Sequence, residues 1–277
     1  MATKFSVSGQ HYLFDVQTLA HIVLSVGGDS YSYALRDNTE AYPFFMYARN
    51  EQGDTHIMTL LRSRGCPFFD EAGNVDLTTP EGIAALQWLK DSYDEGLFPT
   101  HAENLEINDD FKLFLDDKLG IYVFNTALAI QMDDQDVGFV NFPSLSSPGY
   151  ATAFFSGFEV FDNGDPEKVQ VGKDFVKYIY HDDRWLSYSA GDIPVSERIT
   201  EEYASDLPLI QMYANNDANV VDFTNRSPNW RDVRNVFWTH INRMFKGKTG
   251  VEETAMAIDA DLNAAIAQGR ATSHLHE

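Results

Sequence analysis

RGCPFFDEAGNVDLTTPEGIAALQWLKDSYDEGLFPTHAENLEINDDFKLFLDDKLGIYVFN, residues 64–125, is the stretch whose reading decides the fold. A short apolar run ends in the turn Asp70-Glu71-Ala72-Gly73-Asn74, and Val75-Asp76-Leu77 follows. Thr78-Thr79-Pro80-Glu81 then reads as a helix start. Thr79 is placed to cap, the fixed φ of Pro80 suits the first helical position, and Glu81 sits at the positive end of the helix dipole. The spacing of Ile83, Leu86, Leu89 and Tyr93 gives that helix one apolar face, with Gly96 as its C-terminal stop. A second helix is predicted over 108–117, and then a buried strand, Gly120-Ile121-Tyr122-Val123-Phe124.

This succession resembles the extracytoplasmic solute-binding proteins of ABC sugar importers. The pieces that carry the resemblance are Gly65, Asp70-Glu71-Ala72-Gly73-Asn74-Val75, Thr79-Pro80-Glu81-Gly82, Gly96-Leu97-Phe98-Pro99 and Phe114-Leu115-Asp116-Asp117-Lys118. Each piece alone is weak, and their order and spacing together are fairly specific. The resemblance runs roughly from residue 42 to residue 268. It implies an α/β, periplasmic-binding-protein-like fold of type II, with one nearly complete lobe and part of the second. It also implies that the first lobe segment of the family is missing ahead of residue 40. The expected division is an unassigned segment over 1–40, the first part of the main lobe over 41–150, a partial second-lobe or hinge segment over 151–182, a helical C-terminal part packing on the main lobe over 183–270, and a tail over 271–277.

The totals exclude several function classes. With 44% hydrophobic and 13% aromatic residues among 277, the chain has enough apolar side chains for a sizeable core. It carries 42 acidic against 20 basic residues, a net charge of −22. Neutralising phosphates needs clustered Lys and Arg, so nucleic acid is excluded as a partner and direct membrane insertion is not expected. Solubility explains the acidity, and a salt-adapted source is the sharper alternative. No apolar run reaches the roughly 18–20 residues that span a bilayer. The opening MATKFSVSGQHYLFDV lacks the basic, apolar and small-residue succession of a signal peptide, so none is read in this chain. The single cysteine, Cys66, permits no intrachain disulfide and reads as a buried thiol.

Along the rest of the chain, residues 4–8 alternate as a strand would, and 15–26 has a helical apolar face with Asp15 as its cap. Ala41-Tyr42-Pro43-Phe44-Phe45-Met46-Tyr47 is an aromatic strand, and 53–64 a helix with Ile57, Leu60 and Leu61 inward. A strand is predicted over 137–143 and another over 150–161. Asp165-Pro166-Glu167 opens a helix with Val169, Phe175, Val176 and Ile179 inward. A turn at Gly191-Asp192-Ile193-Pro194-Val195 precedes a helix over 199–214. A long helix over 230–245 and a last one over 251–268, with Ala255, Ile258, Leu262 and Ile266 as its stripe, complete the chain.

No phosphate-binding loop, nucleophile elbow, zinc or calcium motif occurs, and neither a cofactor nor a metal is expected. Acidic pairs are abundant, but a glycosidase needs two carboxylates at a set separation, which spacing in sequence does not show. The resemblance instead implies sugar binding, in which rings stack on apolar sugar faces and planar polar groups bond paired hydroxyls. Trp230 is the stacking candidate. Asn125, Asp54, His56, Ser156, Gly157, Tyr188, Asp192, Asn229 and Arg231 are the candidate bonding or lining residues. Relatives place Gly-x-Trp where this chain has Asn125-Thr126-Ala127, so that ring is absent here. The expected function is a non-catalytic carbohydrate-binding component of an ABC importer, extracytoplasmic, handing a sugar captured between two lobes to permease subunits. A truncated module acting as an interaction scaffold is the alternative, and a carboxylate-based glycoside hydrolase ranks last.

Overall fold

The computed structural model describes residues 2–7, 10–15, 37, 40–123, 150–152, 157–181, 198, 201–202, 220–221, 223, 227 and 229–273. The chain divides into two compact units. The larger takes in Met1–Val123, Gly138–Ala153 and Asn219–Glu277, and the smaller takes in Phe124–Val137 and Phe154–Ala218. Units built from separated segments are decided by which segments touch, and sequence order does not display that.

In the larger unit, β1 (Ala2–Val7) and β2 (Gln10–Asp15) form an antiparallel pair. Asp15 is the last residue of β2. β3 (Tyr42–Phe44) and residues 45–49 after it are the spine of the unit. It pairs in parallel with β4 (Leu119–Ile121), in the register Tyr42 to Leu119 and Phe44 to Ile121. Beyond the strand, the backbone N–H of Phe45 reaches Ile121 O at 3.0 Å, that of Ala48 reaches Ala102 O at 2.9 Å, and that of Arg49 reaches Leu105 O at 3.1 Å. Residues 43–48 are all buried. Full burial of a large apolar side chain is worth roughly 1.5–3 kcal/mol, so Phe44, Phe45 and Met46 make this spine the main apolar anchor of the unit. A second parallel pair joins β5 (Ala151–Thr152) to β6 (Val220–Val221).

Five helices of the larger unit lie among the described residues. α1 (Asp54–Ser63) follows a 3-10 turn at Glu51–Gly53 and buries Ile57, Leu60 and Leu61. α2 (Pro80–Asp94) starts as its sequence predicts, with Thr79 Oγ1 accepting the Gly82 N–H at 3.1 Å. α3 (Ile107–Leu115) begins with a capping box between Glu106 and Asp109. Two further helices in the larger unit, Trp230–Phe245 and Val251–Ser273, pack on one another and on α2.

The last of these helices is also stitched to the turn before α2. Asp259 accepts the Leu77 N–H at 2.7 Å and the Thr78 N–H at 3.1 Å. Asn263 pairs with Val75 through both groups of its amide, at 2.8 and 2.9 Å, as a neighbouring strand would. Its predicted stripe, Ala255, Ile258, Leu262 and Ile266, is buried. Phe68 joins the same core, with ring centroids 5.6 Å from Phe223 and 5.7 Å from Phe237. Cys66 is buried, and that burial pushes its thiol up to about 11.

The smaller unit is described mainly through α4 (Pro166–His181), so the helices Trp230–Phe245 and Val251–Ser273 are α5 and α6. Two expectations fail in this unit. Of the strand expected over 150–161, Ala151–Thr152 is a strand and 157–161 is not. Just beyond it, Asp162 and Asn163 turn back on their own backbone, accepting the N–H groups of Gly164 at 2.9 Å and Asp165 at 3.1 Å. Phe175 is 56% exposed. α4 instead sets Gly172 against Val160, where an added Cβ would lie 2.9 Å from Val160 Cγ1, and buries Ile179. The elements expected over 137–143 and 199–214, the turn at 191–195 and residues 16–26 of the helix expected over 15–26 lie outside the described residues, apart from Glu201 and Glu202.

Candidate functional site

The loop and first turn of α1 meet the first turns of α5 inside the larger unit. Asn50 starts the loop, its Oδ1 accepting the Gln52 N–H at 3.0 Å and so capping the 3-10 turn. That turn is tight: a Cβ on Gly53 would fall 2.0 Å from the Tyr47 carbonyl oxygen. Asp54 then opens α1 fully buried.

Arg234, one turn into α5, reaches Asp54 as a two-point fork. Nε donates to Oδ2 at 2.8 Å and Nη2 to Oδ1 at 3.1 Å, and Nη2 also donates to the Glu51 carbonyl at 3.0 Å. Burial pushes the Asp54 carboxyl above its ordinary range, with the Arg234 hydrogen bonds and charge pulling against it. For Arg234, burial opposes the charge, and the Asp54 hydrogen bonds and charge more than restore it. Planar fork geometry of this kind suits the charged pair.

His56 lies one turn along from Gly53 and bonds through Nδ1 to the Tyr47 hydroxyl. The two rings meet edge to face at 5.6 Å and 85°. Burial, and then the Arg234 charge, pull the imidazole down to about 4, so it is neutral at physiological pH. Burial raises the Tyr47 phenol well above its usual value.

On α5, Trp230 is buried with 9% of its surface exposed, and its Nε1–H has no hydrogen-bond partner among the described residues. Asn229 is a strut to α6: its Nδ2 donates to Ala265 O at 2.9 Å and its Oδ1 accepts from Ser227. Gly269 makes room for it, since a Cβ there would fall 2.0 Å from Asn229 Oδ1. Arg231 is exposed. Gly157 is exposed in the smaller unit, and the nearest atom to a Cβ there would be Tyr180 Oη at 3.9 Å, so local packing does not demand glycine. Asn125, Ser156, Tyr188 and Asp192 lie outside the described residues.

The structure thus brings Asp54 and His56 into one junction with the start of α5. It engages Asp54 and Asn229 in internal hydrogen bonds and leaves Arg231 outward. Sequence reasoning missed Arg234 and Tyr47. Arg234 had a readable signal: a cation beside the stripe Val233, Phe237 and Ile241, all of which are buried. Among the described residues no group of three His, Cys, Asp or Glu is placed to hold a metal ion, and no helix is long and apolar enough to cross a membrane.

No protein-family profile matches the chain, and no curated protein does. Solved structures do match. Maltose-bound MalE3 of T. maritima is 19% identical with a TM-score of 0.68, over 90% of this chain and 64% of that one. The sugar transporter from Arthrobacter chlorophenolicus with bound laminaribiose is 16% identical with a TM-score of 0.65, over 90% and 68%. The cyclic alpha-maltosyl-1,6-maltose binding protein from Arthrobacter globiformis is 18% identical with a TM-score of 0.59, over 91% and 69%. The chain has the type II periplasmic-binding-protein fold. It spans about two thirds of the length of these relatives in structure, and at these identities the likeness establishes the fold alone.

Proposed function

We propose that this chain is a carbohydrate-binding component of an ABC importer, extracytoplasmic and without catalysis, which captures a mono- or oligosaccharide and presents it to permease subunits. The observation that carries this reading is the fold, shared over about 90% of the chain with solved proteins that hold maltose or laminaribiose. The proposed contact residues are those named from the sequence, with Trp230 as the ring and Arg231, His56, Asn125, Ser156, Gly157, Tyr188 and Asp192 around the ligand. Asp54 and Asn229 then act through the backbone they fix. Because ligand stabilises the form that binds it, a saturable rise in melting temperature with one saccharide and not its isomers supports the proposal.

One observation favours a second reading. Trp230 is buried and Asp54 and Asn229 are internally bonded, as suits a module that keeps the fold and serves as an interaction scaffold. A folded protein whose melting temperature moves with no sugar in a broad panel would favour that reading. Hydrolysis of a chromogenic glycoside would overturn both.

A further inference from the structure

We infer that Asp110 is a buried proton-binding site, holding one proton in the folded chain at neutral pH at the junction between α3 and the spine 45–48. The inference is independent of whether the chain binds sugar. Asp110 is fully buried. Its Oδ2 accepts the Met46 N–H at 2.8 Å, and its Oδ1 has no hydrogen-bond partner among the described residues. No Lys, Arg or His side chain forms an ion pair with it among the described residues, and an isolated buried carboxylate is costly.

The surroundings do not compensate a charge there. The α3 N-terminus is occupied by its own capping box: Asp109 Oδ2 accepts the Glu106 N–H at 2.9 Å, and the Glu106 side chain caps Asp109 in return. Arg49, at the end of the spine, pairs instead with Glu106 at 3.4 Å. The titratable groups facing Asp110 are Tyr47 from the spine, Tyr122 after β4, and Asp109 on its own helix. Both phenols are held neutral by burial, and Asp109 adds negative charge. One neutral N–H donor therefore stands against burial and a like charge. In agreement, burial raises the Asp110 carboxyl to about 8, the Met46 hydrogen bond opposing and Asp109 adding to the rise.

The folded chain then holds one proton more than the unfolded chain between the ordinary carboxylate range and about pH 8. Stability contributed by this site is full at acid pH and is lost as pH rises through that window. Carbon-detected NMR of the Asp110 side-chain carboxyl in the full chain reads the site directly. A titration midpoint near 8 supports the inference, and a midpoint in the ordinary carboxylate range overturns it. Asp110→Asn supplies a second readout, because it keeps an acceptor for Met46 and removes the titration. Wild type should lose melting temperature relative to Asp110→Asn as pH rises from about 5 to about 8, and parallel curves would overturn the inference. If the variant does not fold, the wild-type titration decides alone.

Discussion

Arg234 shows how one residue can be recognisable in sequence yet acquire its role only in three dimensions. Its guanidinium bridges Asp54 and the Glu51 carbonyl, joining elements 180 residues apart. Removing one partner of a buried pair costs roughly 3–5 kcal/mol, and because the Arg234 side chain is 27% exposed the low end applies. Arg234→Met should therefore lower unfolding free energy by about 3 kcal/mol in urea denaturation. The double variant with Asp54→Asn should recover part of that loss, because no unpaired charge stays buried. His56 gives a pH signature of opposite sense to Asp110. Its folded value of about 4 lies below the ordinary 6.5, so the unfolded chain binds the proton first as pH falls. Stability is intact above the unfolded value and should decline between pH 6.5 and about 4. His56→Gln should flatten that part of the stability curve, as read by thermal melts across the range.

At the scale of elements, helix boundaries were legible where the chemistry is local. Thr79, Pro80 and Gly96 bound α2 as their side chains and φ preferences require, with Gly96 at φ 74. Thr79→Ala should cost about 1 kcal/mol of unfolding free energy. Gly82→Ala should cost more, because the added Cβ would lie 2.4 Å from the Leu77 carbonyl oxygen, a backbone atom with little room to move. The clasp of α6 on the chain before α2 was not legible. Nothing near Asn263 in sequence marks Val75 as its partner. Asn263→Ala strips that backbone N–H and C=O of both bonds, and the expected loss is about 1–3 kcal/mol by chemical denaturation. The failures have equally local causes. The apolar content of 150–161 reads as one strand, but 157–161 is not strand, and the Asx turns at Asp162 and Asn163 follow it directly. Phe175 fits an apolar stripe, but α4 packs through Gly172 and Ile179.

For the whole molecule, a net charge of −22 makes self-repulsion a general term against folding. Raising ionic strength from low salt to about 0.5 M screens most of it beyond contact range, and calorimetry should show a higher melting temperature. Acidity, the lack of a phosphate-neutralising cluster and the order of turns, caps and helices over 64–125 were set by sequence, because each depends on residue type or on neighbours a few positions away. That order carries the resemblance that implies the type II periplasmic-binding-protein fold, which the structure has. Tertiary structure alone decided which candidates are already engaged. Asp54, at a helix start, and Asn229 both read as candidate bonding residues, yet Arg234 of α5 engages the buried Asp54 and Asn229 is bonded to α6. It also decided that Asp110 lies against Met46 with one oxygen unpartnered. A period of 3.6 residues fixes the face a side chain occupies, while the partner it meets there is fixed only by packing between distant segments.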